Sequence, residues 1–127
     1  MLESLFNPQS VAVVGASAAP EKLGYIVLDN IIKYGYAGEI YAVNPNETEI
    51  LGQPCFPRVN QIPSRVDLAV IVVPNRYVVG VMSDCGEKGV GAAIIIIAGF
   101  REAGAEGRAM EREVMETAAK HGIRVVG

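Results

Sequence analysis

Three short apolar runs set the frame of this chain: Val11 to Val14, Leu68 to Val73, and Ala92 to Ala98, the last carrying four consecutive isoleucines. Runs this brief, rich in Val and Ile and closed by Gly15, Pro74 and Gly99, predict strands buried on both faces, as in a parallel sheet. Two weaker candidates, Glu39 to Val43 and Ile123 to Val126, fall at the spacing such a sheet requires. Between the runs the period changes to helical. Leu23, Ile26, Val27, Ile31 and Tyr34 form one apolar stripe that stops at Gly35. A second helix is predicted from Asn75, read as its N-cap, to Lys88, with Gly89 just beyond its end. A third runs from about Glu106 to His121, with Met110, Val114 and Ala118 on one stripe and Gly122 as its stop.

Strands alternating with helices predict an α/β fold, a Rossmann-like doubly wound parallel sheet in three layers. The stretch from Asn46 to Arg65 breaks the alternation, because Pro54, Pro57 and Pro63 forbid a long helix. A short edge strand near Gln53 to Phe56 completes six strands, and right-handed crossovers give them the order 3-2-1-4-5-6. The chain of 127 residues fits one Rossmann-type domain over residues 1–127. Gly127 follows the last strand at once, so the sequence is expected to be a fragment of a longer protein.

Composition narrows the partners. The net charge of −3 supplies no basic field for nucleic acid. No apolar run reaches the roughly 18 residues of a membrane span, and the start has no signal-peptide pattern, which predicts a cytoplasmic protein with no membrane partner. Cys55 and Cys85 lack CxxC spacing and are expected to be reduced thiols rather than a metal or redox pair.

In an open α/β sheet the ligand crevice lies beyond the carboxyl ends of the strands, where strand order reverses. The residues leaving the strands are therefore the candidates: Gly15, Ala16 and Ser17, then Asn44 and Pro45, then Pro74, Asn75 and Arg76, then Gly99, Phe100 and Arg101. The first of these loops runs in small residues from Gly15 to a helix start near Lys22 and Gly24. Small side chains let backbone amides approach a diphosphate, and the helix N-terminus adds partial positive charge. Lys22 offers a full charge, against its alternative as a solvated helix-start lysine. Asn44 suits either a hydrogen bond to a nucleotide or an ordinary Asn-Pro turn. Arg76 suits a phosphate or the open surface. No GxGxxG is present, and the second strand ends in Val43-Asn44-Pro45 rather than an acid, which argues against an NAD(P)-binding oxidoreductase domain. No catalytic residue and no metal ligand is assigned. His121, the sole histidine, sits at a helix C-terminus, where its expected role is structural.

Taken together, Phe6-Asn7-Pro8-Gln9-Ser10-Val11-Ala12-Val13-Val14-Gly15-Ala16-Ser17, Pro20-Glu21-Lys22-Leu23-Gly24, Tyr41-Ala42-Val43-Asn44-Pro45, Val72-Val73-Pro74 and Ala98-Gly99-Phe100 resemble the N-terminal CoA-binding domain of NDP-forming acyl-CoA synthetases, the ADP-forming acetyl-CoA synthetases among them, related to the succinyl-CoA synthetase α-subunit. The resemblance implies a ligand, coenzyme A, and a parent ligase whose ligase-CoA and ATP-grasp domains carry out phosphoryl and acyl transfer. It also implies that Gly15, Ala16, Ser17 and Lys22 face the CoA diphosphate, Asn44 and Pro45 the nucleotide end, and Pro74, Ala98 and Gly99 the pantetheine path. The succinyl-CoA synthetase relatives carry a lysine after the second strand and an acid after the fifth; Glu47 and Ala98 stand in those neighbourhoods here. The competing reading is a stand-alone CoA-binding regulator, or the sensory domain of a protein acyltransferase.

Overall fold

The computed structural model describes residues 5–96 and 104–126. Seven strands form its sheet: β1 (Ser10–Val14), β2 (Glu39–Val43), β3 (Glu49–Ile50), β4 (Gln53–Phe56), β5 (Leu68–Ile71), β6 (Ala92–Ile95) and β7 (Arg124–Val126). Their spatial order is β3-β4-β2-β1-β5-β6-β7. The six strands expected from the sequence hold the expected order, and all of their pairings are parallel. The addition is β3, which pairs antiparallel with β4 (Glu49 opposite Pro54, Ile50 opposite Gln53). A two-residue strand leaves no periodicity to detect. Its turn at Leu51 and Gly52, both at positive φ, reverses the chain and puts the hairpin on the sheet edge. β4 is thus second from the edge, and Pro54 is tolerated because it stands opposite Glu49 in the two-pair ladder with β3 and ahead of Cys55, where the pairing with β2 begins.

Helices α1 (Leu23–Lys33), α2 (Asn75–Lys88) and α3 (Gly104–Lys120) fill the crossovers, and a 3-10 turn (Val59–Gln61) bridges β4 to β5. Strand alternation divides the core into two faces. Ala12, Val14, Tyr41, Val43, Ala69, Ile71, Ala93 and Ile95 face α2 and α3, where they meet Val78, Met82, Cys85, Val114 and Ala118. Val13, Ile40 and Ala42 face α1 and its Leu28. The result is the three-layer α/β arrangement. Val13 and Leu28 have no exposed surface, and each side chain contributes about 1.5–3 kcal/mol by leaving water.

The helix stops follow the sequence. At the end of α2, Gly89 takes φ +83°, its N–H bonds the Gly86 carbonyl at 3.2 Å, and the Val90 N–H bonds the Cys85 carbonyl at 3.0 Å. This Schellman arrangement satisfies carbonyls the helix would otherwise leave open. Gly35 and Gly122 end α1 and α3 with the same bond pattern. One start differs from expectation. Asn75 is not the N-cap of α2: Pro74 holds that place with extended backbone (φ −56°, ψ 150°), and its carbonyl accepts the Tyr77 N–H at 2.9 Å. Proline has no N–H to satisfy, so it fits the entry position and pushes Asn75 into the first turn. The strand expected to reach Ala98 is described as far as Ile96, whose N–H bonds the Ile71 carbonyl at 2.9 Å; Ala98, Gly99 and Phe100 lie outside the described residues.

Candidate functional site

Strand order reverses beside β1, because the chain leaves it for β2 on one side and later returns to β5 on the other. A cleft of about 610 Å³ opens at that point, at the carboxyl ends of the strands. It is bounded by the end of β1 with Gly15, Ala16, Ser17 and Lys22, by Val43, Asn44 and Pro45 after β2, and by Pro57, Arg58 and Val59 after β4. Val73 and Pro74 after β5, with Tyr77, Val81 and Asp84 of α2, close the remaining wall. A shallower extension of about 440 Å³ continues from Gly15 and Ser17 past Gly24 and Asn75 to Ile96.

The floor of the cleft is a backbone feature. Gly15 adopts φ +97°, and a Cβ there would lie 2.2 Å from the Val72 carbonyl oxygen. Gly24, in the first turn of α1, is packed so closely that a Cβ would lie 2.0 Å from the Gly15 oxygen. The two glycines let α1, the loop and the neighbouring strand end stack backbone on backbone. The Gly15 N–H is used, bonding the Val43 carbonyl at 3.0 Å. The N–H groups of Ala16, Ser17 and Ala18 have no acceptor among the described residues. Ser17 accepts the Ala19 N–H on its Oγ at 3.0 Å, which curls the loop into a small turn. Lys22 occupies the N-cap of α1 with extended backbone and no capping side-chain bond, so the helix N-terminus is also open.

Asn44 resolves between its two readings. Its Nδ2 donates to the Ala16 carbonyl at 2.9 Å and its Oδ1 accepts the Asn46 N–H at 2.7 Å. Its side chain ties two strand-end loops together and forms an Asx turn. Its N–H bonds the Phe56 carbonyl at 3.0 Å and its carbonyl accepts from Cys55 Sγ at 3.7 Å, so that Pro45 is what this loop offers the cleft. Arg76 is not brought into the lining: its guanidinium stacks over the Tyr77 ring at 4.7 Å.

Sequence reasoning missed Arg58, Tyr77, Val81 and Asp84. The helical three share a row (i, i+4, i+7) beside the buried row Val78, Met82 and Cys85, a spacing that was available in the sequence. Arg58 lies in the proline-rich stretch that has no period. It forms an ion pair with Asp84, donating from both Nε (3.0 Å) and Nη2.

A second hollow, of about 380 Å³, lies at the opposite end of the sheet. Four of its lining residues, Gln9, Ser10, Arg65 and Asp67, are bonded to one another. Asp67 accepts the Gln9 N–H at 2.7 Å and Arg65 Nε at 2.9 Å, while Ser10 Oγ donates to the Arg65 carbonyl at 2.7 Å and accepts the Asp67 N–H at 3.0 Å. This is a clamp on the strand starts.

The profile of the CoA binding domain family matches residues 9–127. The chain belongs to that family. As a CoA binding domain it is similar to the alpha subunit of ADP-forming acetate-CoA ligase I of Pyrococcus furiosus, at 51% identity over 99% of this chain and 28% of that subunit. It is 48% identical to the ADP-forming acetate-CoA ligase I of Archaeoglobus fulgidus, over 99% of this chain and 18% of that enzyme. Among solved structures, the apo form of dinucleotide forming acetyl-coenzyme A synthetase 1 of Ca. Korarchaeum cryptofilum superposes with a TM-score of 0.95 at 45% identity, over 100% of this chain and 27% of that one. The chain therefore spans less than a third of the length of these relatives.

In this CoA binding domain the two cysteines and the histidine are not among the residues that line the cleft. Burial pushes the Cys85 thiol up to about 12, with Asp84 adding to the shift, and burial also raises Cys55. The His121 ring lies against Gly86 of α2, where a Cβ would come within 2.2 Å of it, a packing role between α2 and α3. Among the described residues no group of three His, Cys, Asp or Glu could hold a metal, and no helix is long and apolar enough to cross a membrane.

Proposed function

We propose that this chain is the CoA-holding module of a cytoplasmic NDP-forming acyl-CoA synthetase, working with ligase-CoA and ATP-grasp units that carry the phosphoryl and acyl transfer. The whole enzyme converts an acid, CoA and a nucleoside triphosphate to acyl-CoA, nucleoside diphosphate and phosphate. The observation that carries the reading is the loop from Ala16 to Ala18, whose amides lack acceptors among the described residues at the head of an open cleft. Those amides and the open N-terminus of α1 form the hydrogen-bonding and electrostatic half of a diphosphate site.

In this reading the amides of Ala16, Ser17 and Ala18 hold the diphosphate through the main chain, Gly15 makes the turn that presents them, and Gly24 permits the approach of α1. Lys22 adds a charge-assisted contact. Asn44 shapes the nucleotide end by fixing the Ala16 carbonyl, and Pro45 offers an apolar edge to the base. Val73 and Pro74 start the pantetheine path, to which the family resemblance also assigns Ala98 and Gly99. The thiol leaves the module along that path and reacts elsewhere, in keeping with a cleft lined by no cysteine or histidine among the described residues.

The test is thermal unfolding of the chain with CoA, dephospho-CoA, NAD and NADP. CoA at 100 times its dissociation constant adds about 2.7 kcal/mol, a rise of several degrees in Tm for a chain of this size. Stabilisation by NAD without stabilisation by CoA overturns the proposal.

A further inference from the structure

We infer that Arg58 recognises the 3′-phosphate of CoA, and so makes this cleft discriminate CoA from dephospho-CoA; the inference rests on the CoA reading above. CoA carries two separated anionic groups, a diphosphate on the 5′ side of its ribose and a phosphomonoester on the 3′ side. The cleft has two cations among its described lining residues, Lys22 and Arg58. Lys22 belongs to the diphosphate loop. Arg58 follows β4, which pairs with β2, which in turn pairs with β1. Two strand spacings, about 10 Å at the level of the sheet, separate their origins. That offset suits two phosphates divided by a ribose. The residues between them, Asn44-Pro45-Asn46-Glu47, contain no cation that could take the second phosphate instead.

The guanidinium is held ready for this task. Asp84 accepts from Nε at 3.0 Å and from Nη2, which fixes the plane of the fork. The pair is anchored on one side by α2 and on the other by Val59, which is 1% exposed and follows Arg58 directly. A guanidinium has five N–H donors, so two bonds to Asp84 leave three, and none has an acceptor among the described residues. The Arg58 side chain is 58% exposed and Asp84 13%. Both side chains line the cleft, Asp84 largely buried and Arg58 more exposed, so the N–H groups that Asp84 does not take stay accessible. A pre-oriented fork loses less freedom on binding phosphate than a free lysine does.

Isothermal titration of the chain with CoA and with dephospho-CoA tests this. The wild-type protein should prefer CoA by tenfold or more. In Arg58→Gln that ratio should fall to within about twofold of unity while dephospho-CoA affinity stays unchanged. Arg58→Lys, which keeps the charge but loses the fork, should fall between the two, and it serves if the Gln variant does not fold. Equal wild-type affinity for both ligands, or equal weakening of both in the variants, overturns the role of Arg58 and leaves the CoA reading standing. Failure of wild-type protein to bind either ligand removes the CoA reading, and this inference with it.

Discussion

Asn44 at the end of β2 donates through Nδ2 to the carbonyl of Ala16 at the end of β1, across 2.9 Å. The bond holds that carbonyl against the loop after β2, and the same side chain accepts the Asn46 N–H at 2.7 Å. One asparagine therefore sets the shape of two loops on neighbouring strands. Asn44→Ala removes both bonds and leaves the Ala16 oxygen without its partner. The expected loss is about 1–3 kcal/mol of stability together with weaker CoA binding, read from urea unfolding and calorimetric titration of the same variant. Retention of full CoA affinity by Asn44→Ala would show that loop shape is set elsewhere.

Lys22 is exposed and makes no side-chain hydrogen bond or ion pair among the described residues. Lys22→Ala should leave the Tm of the empty protein within a degree or so and weaken CoA roughly ten- to hundredfold, the range of one charge-assisted contact. An equal drop in stability without ligand would assign Lys22 to the fold instead.

At Gly24 there is no room for a methyl group, because the obstacle is the Gly15 backbone oxygen and not a flexible side chain. Gly24→Ala should cost about 1–3 kcal/mol from overpacking, despite alanine's better helix propensity. Thermal unfolding checks the sign: a stabilised variant would mean that α1 can slide away from the loop without penalty.

Burial of the Cys85 thiol makes stability depend on alkaline pH. The unfolded thiol ionises near its ordinary 9.0, while the folded one keeps its proton up to about 12. Above pH 9 the unfolded state therefore binds fewer protons than the folded state. Stability is intact below that point and declines as pH rises, by about 1.4 kcal/mol per unit for one proton. Urea unfolding at pH 8 and pH 10 should show a smaller decline in Cys85→Ala than in the wild-type protein. An identical decline in both would place the alkaline sensitivity in other groups.

Much of this architecture was legible because burial on both faces of a parallel sheet writes itself as unbroken Val and Ile runs. Val11 to Val14 and Leu68 to Ile71 are such runs, and the glycine stops of all three helices were equally plain. The β3–β4 hairpin was not, since two residues carry no period and Pro54 argues against a strand unless its place opposite Glu49, ahead of the pairing with β2, is known. At the site, strand-end logic located Gly15 to Ser17, Asn44, Pro45, Val73 and Pro74 on one cleft. It had no means of finding Arg58, whose place depends on how an aperiodic segment folds back onto α2. Nor could it choose between partners for a lone polar side chain: Asn44 turned inward to Ala16, and Arg76 settled on Tyr77.

The stacking of Gly24 on Gly15, and of Gly15 on Val72, braces the loop after β1 from both sides by main chain alone. A loop wedged in this way arrives at the encounter already shaped and has little slack to mould itself around different guests. Selectivity must then come from the opposite bank of the crevice, where side chains rather than peptide groups meet the ligand. Exchanging residues on that bank should retune which nucleotide is admitted without disturbing the mould itself.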